Sequence, residues 1–153
     1  MPRIWSGSPG ENLRKQIKDR LNSYTALECE RLQLSDQLTR LQARLQPGGQ
    51  NMDGMPKAPG AGDSLANLVA ERIDLETKYK GLLLQLVRVQ ADIENLIAGL
   101  EPTERTLARF RYLDGHTWEQ VCLDMSYSWR QVHRIHGRLL DKLAADAKSK
   151  AIF

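Results

Sequence analysis

Residues 117 to 143, TWEQVCLDMSYSWRQVHRIHGRLLDKL, read as two short helices joined by a tight turn. Thr117 precedes Gln120 and Ser128 precedes Gln131 at the spacing of a capping box, in which each hydroxyl takes up a backbone donor left free in the first helical turn. Ser126 and Tyr127 remain as the turn. At about 100° per residue, Val132, Ile135, Leu139 and Leu143 fall on one side of the second helix, while Arg130, His133, Arg134, Gly137 and Arg138 fall largely on the other. From Ser128 to Ala145 the only acidic residue is Asp141, set against Arg130, Arg134, Arg138 and Lys142. A face so biased suits a polyanion, whereas a merely solvated face mixes Glu with Lys.

The preceding stretch, EPTERTLARFRYLDG over 101 to 115, opens with Pro where a helix starts and closes with Gly where one stops. It predicts a third helix that covers the pair. Leu107, Phe110, Leu113, Trp118, Val121, Met125, Val132, Ile135 and Leu139 then form a small core, with Cys122 small enough to let the last helix approach. The expectation is a compact tri-helical domain over 101 to 146.

Upstream lie two longer periodic segments. From Glu11 to Gln46 there is no Pro or Gly, and a heptad frame places Ile17, Tyr24, Arg31, Leu38 and Leu45 at a and Leu13, Arg20, Leu27, Leu34 and Leu41 at d. From about Ser64 to Ala98, Leu65, Arg72, Tyr79, Leu86 and Ile93 take a, and Leu68, Leu75, Leu82, Val89 and Leu96 take d. Ser8, Pro9 and Glu11 offer a start signal for the first helix, Asp63 or Ser64 caps the second, and Gly99 ends it. The segments match in length and each carries Arg and Tyr in its seam, so an elongated antiparallel coiled-coil hairpin over 11 to 98 is expected. The Gly- and Pro-rich run PGGQNMDGMPKAPGAG supplies its flexible loop, 47 to 63. Fold class is therefore all-α.

The chain has 153 residues, 27% charged and 6% aromatic, with a net charge of +3, so helices suit it better than one large globular core. Cys29 and Cys122 lie far apart without Cys-x-x-Cys spacing, which predicts two reduced thiols and a cytoplasmic setting. No apolar run reaches the roughly 18 residues that span a bilayer, and MPRIWSGSPG is too polar for a signal peptide, so no membrane association is expected. The serines fall in caps and loops and the carboxylates are dispersed, so neither a catalytic residue nor a cofactor site is predicted. His133-x-x-His136 with Cys122 falls short of the four ligands zinc prefers, so no metal site is expected. Trp5 and Trp129 could serve as base-stacking platforms, but an N-terminal Trp more often docks on its own helix and a first-turn Trp often packs against the support helix.

The run ERTLARFRYLDGHTWEQVCLDMSYSWRQVHRIHGRLLDKL resembles the promoter-reading fourth domain of bacterial sigma factors. That domain has an arginine-rich first helix, a Tyr-x-x-Gly-type corner, a Thr-Leu-Glu-Glu-Val-like support helix and a recognition helix opening on Ser or Thr. The layout of the chain, with Gly54-Met55-Pro56 in its loop, resembles small phage and prophage proteins of the RinA and ArpU type, some of which are regarded as late-gene transcription regulators. The resemblance implies recognition of double-stranded DNA with 128 to 145 in the major groove. It sets Trp129, Arg130, His133 and Arg134 at base edges and Ser128 and Arg138 near phosphates, with Lys142 as a further cation on that helix. Two positions depart from the sigma pattern, Ser126 where glycine is usual and Trp129 where a polar or basic reader is usual. RNA polymerase is an implied partner, and the hairpin an implied homodimer contact. The alternatives are a phage assembly protein, such as the small DNA-recognition subunit of a packaging terminase, and a polymerase-docking protein that leaves DNA alone.

Overall fold

The computed structural model describes residues 9–46 and 61–151, with side chains described over 9–46 and 64–150. Every regular element in them is helical: α1 (Pro9–Leu45), α2 (Ala61–Ile97), α3 (Pro102–Ala108), α4 (Trp118–Met125) and α5 (Trp129–Ala151). The fold class is all-α, as the two periodicities required. The expectations on the 47–60 loop, Ser8 and Trp5 lie outside the described residues. α2 begins at Ala61, earlier than the Asp63 or Ser64 start read from sequence and inside the expected 47–63 loop. Helix ends are the least sharply encoded boundaries, because their first donors have no intrahelical partner to lose.

Two compact units are present. One comprises residues 27–87 of α1 and α2. Its interior follows the heptad reading at most positions, with Leu41, Leu82 and Leu86 buried and Leu27, Leu34, Leu38, Leu68 and Leu75 half-buried. Leu65 and Arg72, expected at a, are instead exposed, because the a positions of a straight helix drift around it from one heptad to the next. The polar seam positions meet one another, with Arg31 Nη1 donating to the Tyr79 hydroxyl at 3.3 Å while its Nε donates to both Glu28 carboxylate oxygens at 3.0 Å. The hydrogen bond it donates to Glu28, then that to Tyr79, hold the guanidinium above its ordinary pKa. A half-buried cation in a seam thus keeps its charge by carrying its own counter-ion one helical turn away.

The other unit joins residues 9–26 and 88–97 to α3, α4 and α5. The sequence reading drew its boundary between 98 and 101, whereas one apolar cluster here takes in Ile17, Leu21, Ile93 and Ile97 with Leu107, Val121, Val132, Leu139 and Leu140. Leu21 and Ile97 stand outside the a and d positions yet are 0% exposed. A two-helix seam buries only a and d; these ends of α1 and α2 bury a third position because further helices cover them. Arg20, read as a seam residue, is exposed and instead holds both Asp92 oxygens at 2.8 Å.

α3 continues into a π-helical turn, Arg109–Leu113, closed by the Asp114 amide donating to the Arg109 carbonyl at 2.9 Å. In such a turn residues i and i+5 share a face. Tyr112 is consequently buried beside Leu107, while Phe110 and Leu113, expected in the core, only line its edge. Gly115 then takes φ +71°, which an L side chain adopts only with strain.

Candidate nucleic-acid interface

Both capping boxes form. The Gln120 amide donates to Thr117 Oγ1 at 3.2 Å while the Thr117 amide donates to Gln120 Oε1 at 2.9 Å; Ser128 and Gln131 repeat both bonds at the same distances. The start of each helix is therefore set by its own sequence, independently of packing. Between them Ser126 adopts φ 57°, ψ 38°, the left-handed conformation, with its amide bonded back to Leu123. That geometry explains why glycine would be the ordinary choice there. Ser126→Gly is expected to stabilise the chain by about 0.5–1 kcal/mol, read as a higher urea midpoint at unchanged slope. A lower midpoint would mean that the serine side chain compensates for the strain.

On α5 the side opposite the core carries Arg130, Arg134 and Arg138, all exposed, at one-turn spacing. Ser128 is exposed at the helix start, its oxygen engaged in the cap. Asp141, the only acid on this stretch of α5, lies 3.3 Å from Arg14 Nη1. The added Cβ of a residue replacing Gly137 would lie 3.4 Å from the end of the Arg14 side chain, which reaches α5 beside Gly137 and Asp141. Arg14 thereby joins the basic side of the site. Sequence reading missed it because it is separated from α5 by most of the chain.

Trp129 and His133 are not free readers side by side. His133 lies between two indoles, with ring centroids 4.5 Å from Trp129 and 4.6 Å from Trp118, and its Nε2 is buried without a hydrogen-bond partner. Trp129 remains 52% exposed, so one face packs on His133 while much of the ring meets solvent. Trp118 also carries the Arg111 guanidinium 4.5 Å from its ring centroid, a cation–π contact. The stack continues inward to His136, 4.7 Å from Trp118 and 9% exposed, which shares a hydrogen bond through Nε2 with the Tyr112 hydroxyl.

Burial lowers the pKa of His136 to about 4, assisted by the nearby positive charges of Lys18, His133, Arg14 and Arg111. Burial likewise pushes the Tyr112 hydroxyl up to about 12. Both groups are therefore neutral over the physiological range and share one hydrogen bond between the Tyr112 hydroxyl and His136 Nε2. The sequence reading placed His136 at the core boundary; the π turn brings Tyr112 beneath it.

Lys142 faces a different partner from the three arginines. Its ammonium is bonded to Glu104 and lies 3.8 Å from Glu101, and the Glu104 bond holds its pKa above the ordinary lysine value. Glu104 itself is 2% exposed, with its second oxygen unpartnered. Nothing in the sequence marks that carboxylate for burial, since Glu at a helix start ordinarily faces water.

Among the described residues no group of three or more His, Cys, Asp or Glu side chains is arranged to hold a metal ion; His133 and His136 instead flank Trp118. No helix among them is long and apolar enough to cross a membrane. No family model matches the chain, and no curated protein or solved structure matches it.

Proposed function

We propose that the chain is a sequence-specific double-stranded DNA-binding transcription regulator of phage or prophage genes, acting in the bacterial cytoplasm. The observation that carries the reading is the exposed row Arg130, Arg134 and Arg138 on the side of α5 away from its buried residues, behind a helix start built by Ser128 and Gln131. A rigid helix of this kind, with cations on one side and a capped N-terminus, enters a major groove with its first turns at the base edges. Arg130 or Arg134 presents the planar fork that pairs with guanine O6 and N7, and Arg138 and Arg14 supply phosphate contacts. Trp129, half exposed, offers an apolar edge to a thymine methyl or a sugar. His133 acts by steadying Trp129 and not through its buried Nε2. Lys142, paired to Glu104, belongs to the support of the helix. In this reading the protein is not an enzyme and needs no cofactor, RNA polymerase is a further partner, and copies of the chain associate through α1 and α2.

The test is recovery of fragments from the source genome at near-physiological salt, with an Arg130→Glu/Arg134→Glu variant alongside. Wild type should enrich a defined upstream sequence, and the variant should bind it at least tenfold more weakly, with a shallower dependence on salt because phosphate contacts are lost. If wild type and variant, both folded, recover the same fragments or none, the reading fails.

A further inference from the structure

α2 carries a second apolar face that the described residues leave uncovered. Leu65, Val69, Ile73, Leu83, Leu84 and Val87 are 38% to 65% exposed, and all lie in the unit formed by residues 27–87. At about 100° per residue Val69 and Val87 share one angular position, with the others within about 60° of it. The face sits about 100° around the helix from the seam of Leu75, Leu82 and Leu86. It is therefore separate from the side that α1 covers. Isolated exposed aliphatics mean little, but a stripe running roughly 33 Å along one helix is a contact surface.

The stripe is interrupted near its middle by two charges of opposite sign, Glu76 and Lys80, both on the same face. Glu76 accepts from Arg72 Nε at 3.0 Å, and Lys80 makes no ion pair among the described residues. Their placement is symmetric. Glu76 and Lys80 stand equally far from residue 78, as do Ile73 and Leu83, and again Val69 and Val87. Leu84 and Leu65 have Arg72 and Ala91 as counterparts and fall outside this symmetry, but the stretch from Val69 to Val87, matched at 69/87, 73/83 and 76/80 with the sign of charge inverted, is complementary to itself when turned end for end.

We propose that this face binds a second copy of the chain, as an antiparallel α2–α2 contact about a two-fold axis that crosses the face at the level of residue 78, between Glu76 and Lys80. Val69 then meets Val87 of the partner subunit, Ile73 packs beside the partner subunit's Leu83 and the partner's Leu84, and Glu76 pairs with the partner's Lys80. Isologous contacts repeat every interaction twice, so the two Glu–Lys pairs fix register and orientation while the aliphatics supply the burial. A parallel pairing would set Glu76 against Glu76 of the partner subunit and is disfavoured. The inference rests on the self-association reading above and adds the face and the register; it is independent of DNA binding.

Sedimentation of the full chain at roughly 100 µM tests it, with circular dichroism confirming helix content. Wild type should be dimeric. Glu76→Lys alone and Lys80→Glu alone each place like charges opposite one another twice, and each should weaken self-association about tenfold or more. An equimolar mixture of the two variants should dimerise again, since in the mixed pair every charge contact across the axis is between opposite signs. A monomeric wild type overturns the dimer altogether. A dimer indifferent to both variants, or a mixture that stays monomeric, overturns this face and register while leaving association through another surface intact.

Discussion

Lys142→Met is expected to destabilise the folded chain, with the loss originating in Glu104. The Glu104 carboxylate is 2% exposed, has one oxygen unpartnered and has Lys142 as the hydrogen-bond donor to the other. Removing the ammonium leaves a buried carboxylate without its hydrogen-bond donor, a change expected to lower the urea midpoint. Glu104→Leu should behave differently, because Lys142 keeps access to solvent and lies within 3.8 Å of Glu101. The pair Glu104→Leu/Lys142→Met should recover most of the stability lost by Lys142→Met alone, since a packed apolar pair replaces an ionic one at little cost. Urea unfolding of the three variants reads this directly. Were Lys142 instead a phosphate contact, Lys142→Met would leave the unfolding midpoint in place and weaken DNA binding with a reduced salt dependence.

Acidification from pH 7 to pH 4 should remove about 3 kcal/mol of stability through His136 alone. Its pKa in the folded chain is about 4 against an ordinary 6.5, so between those values the unfolded chain binds a proton that the folded chain refuses. The contribution is complete above pH 6.5 and is lost as pH falls toward 4. The positive charges of Arg14, Lys18, Arg111 and His133 act in the same direction, because each raises the cost of an imidazolium at this position. His136→Gln retains a hydrogen-bonding group without titrating, and its stability should vary much less over the same interval. Equal pH profiles for wild type and His136→Gln, from denaturant midpoints at half-unit steps, would show that His136 takes no part. Above pH 10 the opposite sign applies to Tyr112: its raised pKa means that stability declines between about 10 and 12 as the unfolded chain gives up its phenolic proton first.

The helix pairs were legible because their signals are local. Capping boxes need only residues three apart, and Thr117–Gln120 and Ser128–Gln131 form as their spacing required. Heptad positions predict which side of α1 and α2 is covered, and Leu41, Leu82 and Leu86 are buried there. The exposed arginines of α5 were readable too, since a helix with one apolar stripe must turn its opposite side to solvent. The π turn was not readable, because a single inserted residue leaves the α-helical pattern of Leu107, Phe110 and Leu113 looking sound while exchanging Phe110 for Tyr112 in the interior. Both its helical angle and the sigma-factor resemblance set His133 on a DNA-facing side; its enclosure between Trp118 and Trp129 depends on a neighbouring helix that neither includes.

Sequence by itself thus determined an all-helical chain, the starts of α4 and α5, and the apolar and basic sides of α5, all of which follow from interactions within one or two turns of a helix. Tertiary structure alone decided that Leu21 and Ile97 belong to the core, that Arg14 lies against Gly137 and Asp141, that Glu104 is buried under Lys142, and that His136 is kept neutral by burial and the cations around it. Those four outcomes depend on contacts between residues distant in the chain, where burial and charge proximity are set by which elements meet, and no periodicity encodes that.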